Sequence, residues 1–144
     1  MELSNIIELK IENIGYKLVD FKIKDGRTLK YEVVIYSDNG ITHRDCQIVT
    51  NLLMEDQEID KLLGEDYILE VSSPGIGRRL KTIKDFIIFN GKDIEYCLLN
   101  EKPSFGIIKG VENDSIIIYD TKNNLEKIIN LKDIQYAKLK DIGG

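Results

Sequence analysis

The sequence has few of the residues on which catalysis and metal binding depend. Its 144 residues include one histidine and two cysteines. His43 follows Thr42 at a predicted helix start, where an exposed and unreactive residue is expected. Cys46 and Cys97 fall in different predicted domains, which argues against a disulfide or a shared metal, so both are interpreted as small core residues. The sequence therefore predicts no metal site.

Motifs for nucleophilic catalysis and nucleotide binding are also missing. Ser72 and Ser73 lie outside any Gly-x-Ser-x-Gly elbow and have no evident partner base, so turn capping is the favoured interpretation. The run from Pro74 to Gly77 lacks the third glycine and the immediate helix of a dinucleotide fingerprint. We therefore expect no enzymatic activity, no catalytic residue, no cofactor and no small-molecule substrate.

Long apolar runs are absent as well. None approaches the roughly 20 residues that a helix needs to cross a bilayer. Residues 1–16 alternate acidic with apolar residues, unlike the basic start and long apolar core of a signal peptide. The composition, 42% hydrophobic and 31% charged, is ordinary for a soluble globular chain. These observations predict a cytoplasmic protein that does not contact membranes.

Charge is distributed unevenly along the chain. Residues 1–73 hold 8 Lys and Arg against 15 Asp and Glu, a net charge of −7, whereas residues 74–144 hold 12 against 10, a net charge of +2. An acidic half repels phosphate backbones at long range and attracts basic proteins. The same acidity also serves to keep a domain soluble, and the sequence leaves both interpretations open.

The first part of the chain predicts a helix followed by a hairpin. The helix is expected to start with Ser4 as its N-cap and to end at Gly15, in the left-handed conformation. Alternating apolar residues then flank Asp25-Gly26, a dipeptide that is typical of a two-residue hairpin turn.

A second helix and a third strand complete this half. Thr42 and Asp45 approximate a capping box for a helix that ends near Met54. A polar stretch, residues 55–66, leads to a strand that ends at Ser72. The predicted order is αββαβ, with two helices on one face of a three-stranded sheet.

The second half predicts a short helix and then only strands. Thr82 and Asp85 form another Thr-x-x-acid cap, and Gly91 closes the helix that follows. Five β-rich segments come next, at residues 93–99, 105–111, 115–119, 125–130 and 134–139. Turn residues separate them at a spacing of about ten residues, which suggests a small closed β-barrel with the short helix plugging one end.

The most informative run is LEVSSPGIGRRLKTIKDF, residues 69–86. A strand pattern ends at Pro74, which fixes φ and removes an amide donor. Gly75 and Gly77 can adopt positive φ, so neighbouring N–H groups can converge into an anion-binding concavity. Three cations stand beside it: Arg78, Arg79 and Lys81. From the residues alone, the run is either a phosphate-binding corner or an interdomain turn followed by solvated cations.

This run resembles the signature of the ribosome maturation factor RimP family, in which Leu-Glu-Val-Ser-Ser-Pro-Gly precedes an Arg, then Leu-Lys-Thr, then Asp-Phe. Further similarities at residues 15–20, 40–46 and 133–137 extend the resemblance over nearly the whole chain. Gly77 stands where the family usually has Asp, and Arg79 where it usually has Pro. Arg78 is therefore the most direct functional correspondence.

The resemblance implies a KH-like α+β domain of αββαβ order at residues 1–73 and an Sm/SH3-like β-barrel domain at residues 74–144. It also implies non-catalytic binding to the immature small (30S) ribosomal subunit, near the small-subunit ribosomal protein numbered twelve and adjacent rRNA. Because each half closes its own core, we expect a monomer. The candidate contact residues are Ser72, Ser73, Pro74, Gly75, Gly77, Arg78, Arg79 and Lys81.

A stand-alone RNA-binding regulatory protein is the alternative function. KH-type binding depends on a Gly-x-x-Gly loop between helices, and the first half has none in the expected place. Its aromatic residues fall on apolar or strand positions, where core packing is expected: Tyr16, Phe21, Tyr31, Tyr36 and Tyr67. Our hypothesis is that acidic faces meet a basic ribosomal protein while the three cations meet rRNA phosphate.

Overall fold

The computed structural model describes residues 2–75 and 77–140, which form two compact units with the boundary between Pro74 and Gly75. The first unit contains, in order, α1 (Leu3–Asn13), β1 (Lys17–Lys24), β2 (Leu29–Tyr36), α2 (His43–Glu55), α3 (Gln57–Leu63) and β3 (Tyr67–Ser72). The second contains α4 (Ile83–Ile88), β4 (Asp93–Leu98), β5 (Ser104–Glu112), β6 (Ser115–Asp120), β7 (Leu125–Asn130), a 3-10 turn (Leu131–Asp133) and β8 (Ile134–Leu139). The predicted α+β class is confirmed.

The first unit is built on a three-stranded sheet of order β1-β2-β3, in which β1 and β2 are antiparallel and β2 and β3 are parallel. Alternation along β2 turns Tyr31, Val33 and Ile35 inward, as the sequence predicted. The helices complete this core with buried apolar residues at helical spacing: Ile7, Ile11, Val49, Leu53, Ile59 and Leu63.

Helix α3 was not predicted, so the observed order is αββααβ: all the elements of the predicted αββαβ order are present, with one additional helix. Asp56 is the single residue between α2 and α3, and its carboxylate caps α3 by accepting from the Ile59 amide at 3.0 Å. Only Ile59 and Leu63, one turn apart, are buried in α3. Two buried positions among acidic neighbours gave too weak a helical pattern to recognise from sequence.

Two other local predictions in this unit are wrong, and two are confirmed. Helix α1 has Glu2 at its N-cap position, without a side-chain capping hydrogen bond, and Ser4 lies inside the helix. The hairpin strands end at Lys24 and begin again at Leu29, so four residues lie between them and the two-residue turn is not formed. Gly15 has the expected positive φ, of 93°. The predicted capping box of α2 is also present.

The capping box of α2 is tied to the start of β1. Asp45 accepts from the Thr42 amide at 2.7 Å, and its other carboxylate oxygen accepts from the Tyr16 hydroxyl. This hydrogen bond raises the pKa of Tyr16 to about 12. Among the other aromatic residues, the Tyr31 ring stacks on Phe21 at 6.0 Å and meets Tyr67 edge-on at 5.9 Å, which confirms their predicted packing role.

The second unit is a five-stranded antiparallel sheet of order β7-β6-β5-β4-β8. All five predicted strands are confirmed, with bounds that differ by no more than one residue. Strands β7 and β8 lie at opposite ends of the sheet, and they do not pair within the described residues. The expected closed barrel is therefore not seen, and the sheet is open.

Helix α4 begins at the second predicted capping box, formed by Thr82 and Asp85. Phe86 on the helix and Phe89 just after it are fully buried, as are Ile94, Ile108 and other apolar residues of the sheet. The glycine expected to close this helix, Gly91, has a φ of 89°. The helix therefore contributes its aromatic residues to the core of the second unit.

Candidate nucleic-acid interface

The basic segment, residues 77–81, lies along β8 as a short antiparallel strand. The Gly77 amide donates to the Leu139 carbonyl at 3.1 Å, and the Leu139 amide donates to the Arg78 carbonyl at 2.9 Å. The Leu80 amide donates to the Ala137 carbonyl at 2.8 Å. These bonds hold the segment as part of the second unit, so its backbone is fixed and is not that of a solvated turn.

Pairing with β8 sets the exposure of the side chains. Leu80 is buried, with 3% of its surface exposed, whereas Arg79 and Lys81 on either side of it are exposed. This is the alternation expected of an extended strand. Arg78, the residue most directly matched to the family signature, is half-buried.

The predicted anion-binding concavity is not formed by the amides of the segment. Gly77 has the expected positive φ, of 80°, but its amide is used by Leu139. The Arg78 amide donates to the Gly75 carbonyl at 3.2 Å. Ile76 lies outside the described residues. An anion at this segment would therefore contact its cationic side chains, because these two amides are already hydrogen-bonded.

The remaining candidate residues belong to different parts of the chain. Ser72 ends β3, where it pairs with Val34, and is half-buried. Ser73 is exposed and Pro74 is buried, and these three residues lie in the first unit. Gly75 is exposed and begins the second unit, to which the basic segment also belongs.

A cleft opens beside the basic segment, within the second unit. It has a volume of about 400 Å³. Its lining residues are Arg79, Leu80, Lys81, Leu131, Ile134, Gln135, Tyr136 and Ala137. We call it the β8 cleft. Leu80 and Ala137 are buried and Leu131 and Ile134 are half-buried, while the exposed Arg79, Lys81 and Gln135 bring polar groups to it.

Arg79 is held against an aromatic ring at the cleft. Its guanidinium carbon lies 4.8 Å from the centroid of the Tyr136 ring, within the distance of a cation–π contact. The Tyr136 hydroxyl donates to a Glu95 carboxylate oxygen at 2.7 Å, which raises the pKa of Tyr136 and fixes the ring. Lys138 lies 3.6 Å from the same carboxylate oxygen.

Arg79 and Lys81 have no ion-pair partner within residues 2–75 and 77–140. The position of Lys81 is fixed through its backbone, because its amide donates to the Asp85 carboxylate at 2.8 Å. The same carboxylate oxygen accepts from the Thr82 amide at 3.1 Å and caps α4. Two positive charges thus stand on fixed backbone without internal neutralisation by a carboxylate.

Sequence reasoning identified the cations of this cleft but missed its other residues. Leu131, Ile134, Gln135 and Tyr136 lie more than 50 positions along the chain from Arg79. Ile134, Gln135 and Tyr136 were recognised only as part of a strand and Leu131 lay outside the predicted strands, because no local pattern shows that β8 pairs with the basic segment. A cation next to an aromatic residue in space leaves no signal in the sequence.

The first unit has no KH-type grip between its adjacent helices. Asp56 alone separates α2 from α3, so the Gly-x-x-Gly loop on which KH domains depend has no room there. The carboxylate of Asp56 also forms an ion pair with Lys10 at 3.0 Å. An acid at this junction is unfavourable for a phosphate backbone.

The described residues contain no cluster of three or more side chains suited to a metal ion. His43 is exposed at the start of α2. Cys97 is buried, as predicted, whereas Cys46 is only half-buried, and both thiols are free. Among the helices that the structure describes, none is long and apolar enough to cross a membrane.

A family model described as the RimP N-terminal domain matches residues 6–77. This range covers half of the chain: nearly all of the first unit and the first residue of the basic segment.

Proposed function

Because the chain belongs to the ribosome maturation factor RimP family, we propose that it binds the immature small (30S) ribosomal subunit and promotes its assembly. The family match is the observation that carries this proposal. We propose further that the protein acts in the cytoplasm and without covalent catalysis. Its binding energy would favour one arrangement of rRNA and ribosomal protein over others.

The two units are proposed to have different partners. The part of the chain up to residue 73 carries a net charge of −7 and is suited to a basic ribosomal protein, for which we propose the small-subunit protein numbered twelve. The basic segment is proposed to bind adjacent rRNA. Its exposed Arg79 and Lys81 support this, because charges without internal partners remain available to phosphate.

We also propose that the first unit is a KH-like domain and the second an Sm/SH3-like one. The αββααβ order and the parallel pairing of β2 with β3 support the first assignment. Five consecutive antiparallel strands after a short helix support the second. Under this proposal the KH-like unit does not grip RNA between α2 and α3, where Asp56 replaces a loop.

Co-sedimentation of the full chain with small subunits tests the proposal. Immature and mature subunits should be compared at equal concentration, and the chain should pellet preferentially with immature particles. Equal recovery with both, or with neither, would contradict a maturation role. Tight binding to free RNA together with no preference for immature particles would instead favour the stand-alone RNA-binding regulator.

A further inference from the structure

The β8 cleft begins where the basic segment and β8 stop pairing. The bond from the Leu80 amide to the Ala137 carbonyl is the last between them that the described residues contain. Beyond it, Lys81 leads into the capping box of α4, while β8 runs back to Ile134 and the preceding 3-10 turn. The cleft is therefore built on fixed backbone on both sides.

The cleft combines apolar surface with uncompensated positive charge. The half-buried Leu131 and Ile134 supply most of the apolar surface of the lining, because Leu80 and Ala137 expose only 3% and 1% of their surface. Arg79 and Lys81 add two cations without ion-pair partners in the described part of the chain. Its volume of about 400 Å³ falls within the range of roughly 300–1,000 Å³ that is typical of ligand sites. These properties suit a ligand with both a flat apolar part and a negative charge.

The contact between Arg79 and Tyr136 favours a nucleotide as that ligand. Arg79 contacts the Tyr136 ring and is still exposed, so its planar guanidinium keeps accessible surface on which a base can stack. Unpaired bases in single-stranded RNA stack on aromatic rings and on guanidinium planes, and their phosphates bind nearby cations. The ring that supports Arg79 is in turn fixed by Glu95.

An extended acidic peptide fits the cleft less well. Peptides that add to a sheet need a run of free main-chain groups along an edge. Only residues 134–136 of β8 precede its pairing with the basic segment, which is short for a strand.

We propose that the β8 cleft binds one unstacked nucleotide of single-stranded RNA, with its base on Arg79 and its phosphate at Lys81. In this proposal the amide group of Gln135, an exposed lining residue whose side-chain oxygen lies 3.8 Å from the Cys97 sulfur, hydrogen-bonds the base edge. This inference rests on the proposed contact with rRNA, and it extends that contact from phosphate attraction to recognition of a base. Arg79 then supplies both charge and a stacking surface, which a lysine cannot do.

The test uses the full chain labelled with ¹⁵N and two RNA hexanucleotides of equal charge, one of adenylates and one abasic. The adenylate probe should shift the amide resonances of Lys81, Gln135, Tyr136 and Ala137. It should bind at least about fivefold more tightly than the abasic probe, the lower end of what one stacked base contributes. Equal affinity for the two probes would overturn base recognition.

Three variants sharpen the result. Arg79→Lys keeps the charge but removes the planar group, so it should lose the preference for adenylate and bind the abasic probe as before. Lys81→Gln should lower the affinity of the chain for both probes. Lys122→Ala removes an exposed charge elsewhere in the second unit and should change the affinity for neither probe. If Arg79→Lys disturbs the fold, the Lys81→Gln comparison and the two probes on the unaltered chain still decide the proposal.

Further outcomes separate this inference from the function on which it rests. If an acidic hexapeptide shifts the same resonances and neither RNA probe does, the cleft is a peptide site and the proposal is wrong. If the chain co-sediments with immature subunits but binds the adenylate and abasic probes equally, the maturation role is supported and the proposed nucleotide site is contradicted. If the chain prefers the adenylate probe but does not co-sediment with immature subunits, the nucleotide site is supported and the proposed maturation role is contradicted.

Discussion

At the scale of single residues, Asp120 is a buried charge around which the β6–β7 turn is organised. Its side chain is 0% exposed. One carboxylate oxygen accepts from the Tyr96 hydroxyl at 2.6 Å and lies 3.3 Å from the Lys127 ammonium nitrogen. The other accepts from the amides of Lys122 and Asn123. A buried charge with this many partners stabilises the fold, whereas one without them would destabilise it.

We predict that the stability contributed by Asp120 depends on pH. Burial alone raises the pKa of this carboxyl, but the hydrogen bonds from Tyr96 and Asn123 and the Lys127 charge outweigh it and lower the pKa to about 2. Because the ordinary value is about 3.9, the contribution is complete above that pH and is lost as pH falls toward 2. The free-energy difference between the unaltered chain and Asp120→Asn should shrink over this range.

Denaturant unfolding of both chains at pH 7, 4 and 3 measures that difference. At pH 7 the loss should be about 1–3 kcal/mol, the usual effect of weakening a buried charged hydrogen-bond network. Asp114→Asn, at an exposed turn position in the same unit, is the control and should show no such trend. A difference that stays constant with pH would contradict the assigned charge state.

A second prediction at this scale concerns Gly106 in β5. A Cβ atom there would lie 2.6 Å from the Ile118 Cγ2 atom and 2.7 Å from the Tyr119 carbonyl oxygen. Because the second atom is backbone, β5 and β6 would have to separate, so Gly106→Ala should cost about 1–3 kcal/mol. Thermal unfolding compares it with Gly110→Ala in the same strand.

Gly110 is a matched control for Gly106. The nearest atom to its added Cβ is the Ile117 Cδ1 at 3.9 Å, which is an ordinary contact. We expect a change within about 0.5 kcal/mol there. Equal destabilisation by both substitutions would show that the close approach of β6 to Gly106 does not set the cost.

At the scale of elements, the basic segment acts through its pairing with β8. We predict that Arg79→Ala, and more strongly Arg78→Ala with Arg79→Ala, weakens binding to immature subunits while the chain stays folded. The segment is held by backbone hydrogen bonds, which alanine preserves. Under the proposed function these cations bind phosphate, and Arg79 is exposed.

Co-sedimentation gives the affinity of these variants, and circular dichroism checks their fold. The control is Lys109→Ala with Lys122→Ala, which removes the same charge from exposed positions elsewhere in the second unit. Because Arg78 is half-buried, the double variant can lose stability. In that case the single Arg79→Ala variant decides the prediction. Unaltered binding by Arg79→Ala would exclude the segment from the interface.

At the scale of the whole molecule, we predict a monomer. Each unit has its own buried core, so neither needs a second copy to complete it. The open edge strand β7 exposes Ile128 by 67%, but it is six residues long and carries Glu126 and Lys127, which disfavour edge pairing. Light scattering at micromolar concentration should give the mass of one chain, near 16.5 kDa. A dimer mass would contradict this.

The proposed charge division also predicts how binding responds to salt. Contacts of an acidic unit with basic protein and of cations with phosphate both weaken as salt shortens the Debye length to about 8 Å near physiological strength. Since the chain has a net charge of −5, its affinity for protein-free rRNA should be poor even at low salt.

A salt series with three binding partners tests this division. Free rRNA, the isolated basic ribosomal protein and immature subunits should be compared with the intact chain, and the subunits should bind most tightly. Weak binding of a short oligonucleotide at the β8 cleft is compatible with poor affinity for free rRNA, because the oligonucleotide occupies one site and has few phosphates. Tight binding to free rRNA with no affinity for the protein would contradict the division.

The sequence by itself determined the elements whose signals are local. Both capping boxes, at Thr42 and Thr82, formed as predicted, because a cap needs only residues within one turn. The five strands of the second unit lie within one residue of their predicted bounds, since alternation and turn residues act over a few positions. The charge difference between the halves and the exposed cation at Arg79 could also be read directly.

Only the tertiary structure decided the features that join distant parts of the chain. Helix α3 depends on burying Ile59 and Leu63 in the core of the first unit, and seven residues carry too little pattern to reveal it. The open edge between β7 and β8 depends on which strands meet in space. The β8 cleft arises because residues 77–80 pair with β8 and bring Arg79 onto Tyr136. Such contacts follow from packing across the chain, which no short window of sequence contains.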